Sequence, residues 1–551
     1  MKLRNKATKM LATLLVMVML CGCMAACGEK ADPTDAPKAT DAPKATDAPK
    51  ATDAPETDAQ EEPVKLTIWV QERADSDYNT CLMTTELEKK FNIDLEFVYY
   101  SSAADRDTSY NLLLASEDWP DIIFGQRTPA QVLAGVTAGA LLPLNDYIVE
   151  GTNFKARLDE HPNWETMLTA SDGNIYTFPH DSTPEHVRSE YKMWYRLDWL
   201  ENLGWEMAPS TPEEFKQYLI DVRDKDANGN GDPDDEIPLM GYYGGRKSDP
   251  ICFLMNSFEL YTENYYYITD EGELHFSAVT DGWRKGLAYL ADLYAEGLIA
   301  EETYVQDEST FKGLLNKPAN EAIVGVCSSW RVIGLIDKNV MSWYDFASMV
   351  PLKGDYQQTA AAMDGRFQLM GAITTQCENP EKAFELMDYM LTDEFCMMYL
   401  NGIEGVTYDV VQEEALSGAD SGIKGKEGQD WSVMRWQTGE APKIETLDVR
   451  YAAVKDETSS GWHDLYYSQI SAPYYVNHNT PTVVWAEDDV IADVGEYSSM
   501  INDFILTADT EFVMGIRDIN DDAQWQAYLD ELDAMGLQDY IELLNVYYGL
   551  K

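Results

Sequence analysis

The chain has 551 residues, 45% apolar and 11% aromatic, which is enough for a sizeable core and more than one lobe. Acidic residues outnumber basic ones by 96 to 41, a formal net charge of −55, and no phosphate-neutralising patch stands out; this argues against nucleic acid and against adhesion of the protein surface to anionic lipid. The widely spaced Cys81, Cys252, Cys327, Cys377 and Cys396 exclude a dense disulfide framework and a zinc site of the usual spacing, and read as small buried hydrophobes.

In chain order, Lys2, Arg4, Lys6 and Lys9 precede an apolar run over residues 10–20, and small residues then lead to a cysteine. This is a secretory signal, residues 1–26, because the run is well short of the ~20 residues a transmembrane helix needs. Met24-Ala-Ala-Cys27-Gly28 looks like a bacterial lipobox, in which the cysteine is diacylated and becomes the new N-terminus; Leu20-Cys-Gly-Cys23 is the alternative. Cys27 is preferred because polar Glu29, Lys30 and Asp32 follow it, whereas Cys23 would leave an apolar stub. Acyl chains, at ~0.8 kcal/mol per buried methylene, would hold the protein on the extracytoplasmic face of the cell membrane. Residues 27–62 carry Thr-Asp-Ala-Pro-Lys-Ala repeats starting at Thr34, Thr40 and Thr46; proline in each repeat blocks helix and sheet, so a disordered tether is expected.

Residues 64–70 alternate and are β-rich, residues 85–91 read as the end of a helix, and residues 95–100 form another strand pattern. Residues 111–115 continue a helix, Asp118-Trp-Pro120 is a turn, and residues 121–125 read as a short buried strand. Strands alternating with helices predict a mainly parallel sheet covered on both faces.

Several stretches carry a family resemblance: Asp118-Trp-Pro-Asp-Ile-Ile-Phe-Gly125, Gly139-Ala-Leu-Leu-Pro-Leu-Asn-Asp-Tyr-Ile148, Asp172-Gly-Asn-Ile-Tyr-Thr-Phe-Pro179, Arg196-Leu-Asp-Trp-Leu-Glu-Asn-Leu-Gly204, Leu293-Tyr-Ala-Glu-Gly-Leu-Ile299, Asn379-Pro-Glu-Lys-Ala-Phe-Glu-Leu-Met387 and Gly402-Ile-Glu-Gly-Val-Thr-Tyr408. In order and spacing the chain resembles the extracellular solute-binding proteins of the family that includes maltose-binding protein, and more closely the lipoprotein branch containing alginate-oligosaccharide-binding proteins. The resemblance implies an α/β, periplasmic-binding-protein-like fold of two discontinuous lobes with a hinge and an interlobe cleft. It places lobe 1 at residues 64–177 and 350–392, and lobe 2 at residues 178–349 and 393–551, with C-terminal helices partly bracing both. It further implies capture of a sugar or oligosaccharide for the permease subunits of an ABC importer, by a monomer that closes on its hinge.

Asp224-Lys-Asp-Ala-Asn-Gly-Asn-Gly-Asp-Pro-Asp-Asp-Glu236 alternates oxygen side chains with glycines and reads as a structural calcium loop. In one register Asp226, Asn228 and Asn230 take the first, third and fifth positions, Gly231 makes the bend, Asp232 gives a carbonyl, and Asp235 with Glu236 closes the cage. A second register starts at Asp224 and bends at Gly229. The first is preferred because the alginate-binding relatives carry a similar loop. One extra residue before Asp235 leaves Asp234, Asp235 and Glu236 interchangeable as late ligands.

A sugar site needs aromatic faces and hydroxyl-binding side chains in the cleft. Val324-Gly-Val-Cys-Ser-Ser-Trp330-Arg331 resembles the strand and turn that carries a sugar-stacking tryptophan in maltose-binding relatives, making Trp330 the first candidate. Trp69, Gln71, Gln126 and Arg127 stand at C-terminal strand ends, where open α/β sheets bind ligands. Trp194, Glu404 and Trp462 complete the candidates.

Enzyme signatures are missing from the sequence. It has no Gly-x-Ser-x-Gly elbow, no His-Glu-x-x-His helix and no phosphate-binding Gly-x-x-x-x-Gly-Lys-Ser/Thr loop. A non-enzymatic binding protein is expected, with a non-sugar solute or a sensory co-receptor role as the alternative, and a polysaccharide hydrolase behind them. The acidic surface favours a neutral oligosaccharide unless local arginines compensate.

Overall fold

The computed structural model describes residues 62–550, apart from residues 75, 189, 243–245, 355–356, 363–365, 430 and 478–479. The signal segment, Cys27 and Cys23, and tether residues 27–61 lie outside the described residues. The strands of the two larger sheets are β1 (Val64–Gln71), β2 (Ile93–Tyr100), β3 (Ile122–Arg127), β4 (Phe178–Ser182), β5 (Met193–Arg196), β6 (Ile237–Met240), β7 (Val324–Ser328), β8 (Phe346–Ser348), β9 (Gln368–Ile373) and β10 (Lys443–Glu445). The helices used below are α1 (Leu82–Phe91), α2 (Arg106–Ser116), α3 (Pro162–Leu168), α4 (Asp281–Ala295), α5 (Ser460–Gln469), α6 (Asp488–Val513) and α7 (Leu537–Tyr547).

The opening β-α-β unit forms where the sequence pattern puts it. β1 pairs in parallel with β2 from Val64 opposite Ile93 to Gln71 opposite Tyr100. α1 stops at Asn92, whose φ of 51° breaks the helix and turns the chain directly into β2. Leu66, Ile68, Trp69 and Val70 are all buried, as befits a strand with neighbours on both sides and helices over both faces.

The first sheet has the order β10-β4-β9-β3-β1-β2, and β9 is the antiparallel member. The second has the order β8-β5-β7-β6, with β5 antiparallel to β7 and β8. In each sheet the C-terminal ends of the mutually parallel strands therefore share one edge. Each sheet has its own core: Leu66, Phe124, Phe178, Leu369, Phe395 and Trp436 belong to the first, and Trp199, Phe215, Trp283, Leu290, Phe512 and Tyr528 to the second.

These cores shift the expected lobe boundaries. β4 and β10 are strands of the first sheet, and Phe395, Tyr399, Trp436 and Ile444 pack in the first core, so residues 178–182 and 393–445 belong with lobe 1. Met349 and Leu352 pack with the second core. The reason is side-chain burial: Phe178 and Phe395 find their partners only on the first sheet, with Phe395 and Phe97 both packed against Trp436. α6 and α7 bury Ile501, Ile505, Phe512 and Leu544 in the second core, while Val483 ahead of them packs in the first. All five described cysteines are buried and none is in a disulfide, and burial pushes the thiols of Cys327, Cys377 and Cys396 up to about 12.

Asp509 on α6 is buried and accepts a hydrogen bond from Trp283 Nε1 of α4 at 3.1 Å. Burial is the main cause that raises its carboxyl to about 8, with Asp249 adding repulsion. The folded value lies above the unfolded one, so the contribution to stability is full below about pH 4 and is lost as pH rises toward 8. Asp509→Asn keeps an acceptor for Trp283 and removes the proton. We expect it to melt a few degrees above the wild type at pH 8 and to lose that advantage at pH 4; parallel melting curves at the two pH values check this.

Candidate functional site

The shared edge of the first sheet is built by the ends of β1, β2, β3 and β4 and the start of β9. Trp69 is buried there, stacked on Tyr100 at 4.3 Å and 23°, and the Arg127 guanidinium lies 5.3 Å from its ring and 4.2 Å from that of Tyr110. Arg127 donates to the carbonyls of Gln126 and Phe124 at 2.8 and 3.1 Å, while its Nε has no hydrogen-bond partner. Glu440 locks this corner: Tyr100 Oη donates to its carboxylate, Gln71 N donates to Oε2 at 3.2 Å, and Gly125 N donates to its carbonyl at 3.1 Å. Gly125 has φ +108°, and a Cβ there would stand 3.0 Å from Arg127 Nη1, so only glycine suits this position of β3. Trp69 and Arg127 thus brace the edge from beneath, and Gln71 and Gln126 are half-buried on it.

On the second sheet, Trp330 and Arg331 follow β7, Lys192 precedes β5 and Lys247 follows β6. Lys247, Arg366 and Arg331 lie 5.1, 5.4 and 5.7 Å from the half-buried Trp330 ring, and Lys192 Nζ donates to the Trp330 carbonyl at 3.3 Å. Arg366 comes from the first lobe, where its N donates to Ser182 O at 3.0 Å. Glu190, between the sheets, pairs with both Lys247 and Arg366 at 2.5 Å. Asp464 on α5 holds Arg331 through Nε and Nη2 at 2.8 and 2.7 Å. The two edges therefore meet at Trp330. Burial lowers the Lys192 ammonium to about 7.

Beside this cluster lies a cavity of about 970 Å³. Its walls are Trp164 and His161 at the start of α3, Phe367, Trp485, and Tyr547 and Tyr548 at the end of α7, with Asp181 and Thr183 at the end of β4. His161 stacks on Trp164 at 4.2 Å, and Trp164 packs on Phe367 at 5.1 Å. Trp485 is fixed by its Nε1 donating to Met167 O at 2.8 Å. Burial raises the Asp181 carboxyl to about 6. Arg366 reaches Trp330 while the next residue, Phe367, lines the cavity, so the two places are neighbours along one edge. Aromatic walls with scattered hydroxyls and a carboxylate suit a polyhydroxylated ring with apolar C–H faces.

Three sequence candidates fall elsewhere. Trp194 is a core residue, its Nε1 bonded to Ser329 O at 2.9 Å and its ring packed between His463 and Tyr467. Glu404 is exposed beside Lys89 and Lys90, at the end of α1 and hence on the opposite edge of the first sheet. Trp462 stacks on Tyr466 at 4.6 Å, on the helix that carries Asp464 but not on the Trp330 cluster. Conversely, Glu190, Lys247, Arg366, Trp164, Phe367 and Trp485 come from segments far apart in sequence, and no local motif marks them.

The acidic loop is folded back on itself. Gly231 N donates to Asp226 Oδ2 at 2.9 Å, Asn230 N to Asn228 Oδ1 at 2.8 Å and Asp232 N to Asn230 Oδ1 at 2.7 Å, around Gly231 at φ +95°. Asn228 N donates to Glu236 Oε1 at 3.2 Å, while the amide groups of Asn228 and Asn230 reach the two oxygens of Asp235 at 3.0 and 2.7 Å. Asp226 Oδ1 and Glu236 Oε2 are buried without a hydrogen-bond partner. Among the described residues no group of three or more His, Cys, Asp or Glu could hold a metal ion, so a cation here would depend on amide and backbone oxygens as well.

No protein-family model matches the chain. The fructooligosaccharide ABC transporter substrate-binding protein FusA of Streptococcus pneumoniae is 24% identical over 489 residues, 86% of this chain and 87% of that protein. A solved structure of FusA, an EF-hand mutant in complex with fructo-nystose, superimposes with a TM-score of 0.68 at 23% identity, covering 88% of this chain and 99% of that one. The alginate-binding protein AlgQ2, solved without calcium ion, gives a TM-score of 0.62 at 20% identity over 89% of this chain and 98% of that one. In fold, and in sequence along nearly its whole folded length, the chain is similar to substrate-binding proteins of ABC transporters.

Proposed function

We propose that the protein captures an oligosaccharide outside the cell and hands it to an ABC importer by hinge closure. The observation that carries this reading is the meeting of two sheet edges at Trp330, next to an aromatic cavity large enough for several sugar rings. A ligand that touches both lobes has a higher affinity for the closed form, and that difference alone shifts the population toward it. Trp330, Gln71 and Gln126 stand along the two edges, with Trp69 and Arg127 beneath, and no bond is made or broken. The relative named for fructooligosaccharides supports a saccharide over other solutes.

Calcium belongs to the same reading. Asp226, Asn228 and Asn230, the Asp232 carbonyl, Asp235 and Glu236 form the donor set, and the two orphaned buried oxygens of Asp226 and Glu236 are what a cation would satisfy. Its part is to pin a loop of the second lobe against Ala322, whose carbonyl accepts from Asn228. A diacylated Cys27, or Cys23, tethers the mature monomer to the outer membrane face beside its permease.

Calorimetric titration with a panel of oligosaccharides, together with scattering measurements of closure, tests the proposal. We expect one glycan class to bind with a dissociation constant of about 1 μM or tighter and to reduce the radius of gyration. If no saccharide binds, the function lies with another solute. Labelling with radioactive palmitate, lost in Cys27→Ser, tests the anchor.

A further inference from the structure

The surroundings of Trp330 reverse the charge of the protein as a whole. Three cations, Lys247, Arg331 and Arg366, lie against one tryptophan ring in a chain of net charge −55, while Lys192, whose ammonium burial lowers to about 7, bonds the Trp330 carbonyl. Two described carboxylates oppose them, Glu190 and Asp464. Depth matters more than number. The acid side chains are each 5% exposed, whereas those of Lys247, Arg331 and Arg366 are 28, 25 and 37% exposed. The carboxylates lie underneath and the cationic heads stand at the surface, so the cleft presents positive charge to a ligand. Positive charge in excess at a partly dehydrated site is destabilising until an anion joins it. The neighbouring cavity contrasts with this: its lining has no Lys or Arg, and its acidic members are Asp181 and Glu487, while burial lowers the His161 imidazole below its ordinary value.

We propose that the Trp330 end of the site takes an acidic sugar residue, whose carboxylate or sulfate engages Lys247 and Arg366, while the cavity holds the neutral residues of the same oligosaccharide. The inference rests on the saccharide-binding reading above and names its substrate class. Lys247 and Arg366 come from different lobes and share Glu190, so an anion bound between them also ties the lobes together. Arg366 supplies a planar fork that can hold a carboxylate through two parallel bonds, and Lys247 a point charge.

The test is a set of matched pairs: uronate-, sialate- and sulfate-bearing oligosaccharides, each beside a neutral oligosaccharide of the same length, titrated calorimetrically into the whole protein. We expect at least one acidic member to bind about tenfold or more tighter than its neutral counterpart, the worth of one charge-assisted contact. That preference should shrink as ionic strength rises. Lys247→Gln with Arg366→Gln should bring the ratio of the two affinities toward one, and the charge-keeping Lys247→Arg should retain it. Neutral members that bind as tightly as or tighter than the acidic ones in every pair would overturn the inference and leave the saccharide reading standing. Failure of every member, acidic and neutral, would overturn both.

Discussion

Trp330→Ala should weaken saccharide binding by about 30-fold or more, because truncating an aromatic anchor at the centre of a binding surface commonly costs 2 kcal/mol or more. The expectation comes from position: Trp330 is half-buried at the place where Arg366 of the first lobe reaches the second. A phenylalanine there keeps a flat apolar face and should recover much of the loss. The control is Trp194, on the neighbouring strand β5 but enclosed by His463 and Tyr467. Trp194→Phe should lower the melting temperature, through a cavity and the lost bond to Ser329, and change affinity by less than about threefold. Titrations and melts of the two variants separate binding from folding. Equal affinity losses in both would mean that Trp330 acts through the second core, and wild-type affinity in Trp330→Ala would remove it from the site.

Chelation should lower the melting temperature of the second lobe by several degrees. A ligand present at about a hundredfold its dissociation constant stabilises the state that binds it by about 2.7 kcal/mol, and the chelator removes that contribution. The acidic loop follows the helix Pro212–Asp224 and leads into β6, so loosening it frees an edge strand of the second sheet. Asp226→Ala and Glu236→Ala each remove one of the two buried oxygens that lack a partner. Each variant should reproduce the chelated melt, and chelator should then have little further effect on it. An unchanged melt of the wild type in chelator would show that the hydrogen bonds among Asn228, Asn230 and Asp235 suffice to hold the loop, with no cation required.

Glu190 explains why the cationic cluster at Trp330 was not legible in the sequence. Its neighbours Lys247 and Arg366 are 57 and 176 positions away along the chain, and neither stands in a basic cluster. Net charge and composition therefore gave no sign of the cluster, whose local field depends on which side of Glu190 faces the cleft. Trp330 was legible through resemblance, since Val324 to Arg331 resembles the strand and turn that carries a sugar-stacking tryptophan in maltose-binding relatives; it stands just past the C-terminal end of β7, where open sheets bind ligands. Trp194 fails the same test because its strand is antiparallel to β7 and its ring points into the packing of α5.

What the sequence determined by itself is what short stretches of chain dictate. Alternation made β1 and β2, the run from Ile122 to Phe124 made β3, and αL-tolerant Asn92 and Gly231 made turns where the chain needed them. The basic-then-apolar pattern over residues 2–20 and the oxygen-rich loop are likewise local patterns, complete within short stretches. Only the tertiary structure decided which lobe residues 178–182 and 393–445 join, because an apolar side chain such as Phe395 is equally content in either core until packing selects one. It also decided the site itself. Trp330, Arg366, Glu190 and the cavity walls at Trp164 and Trp485 meet only when two sheets built from discontinuous segments face each other, and no periodicity in the chain encodes that meeting.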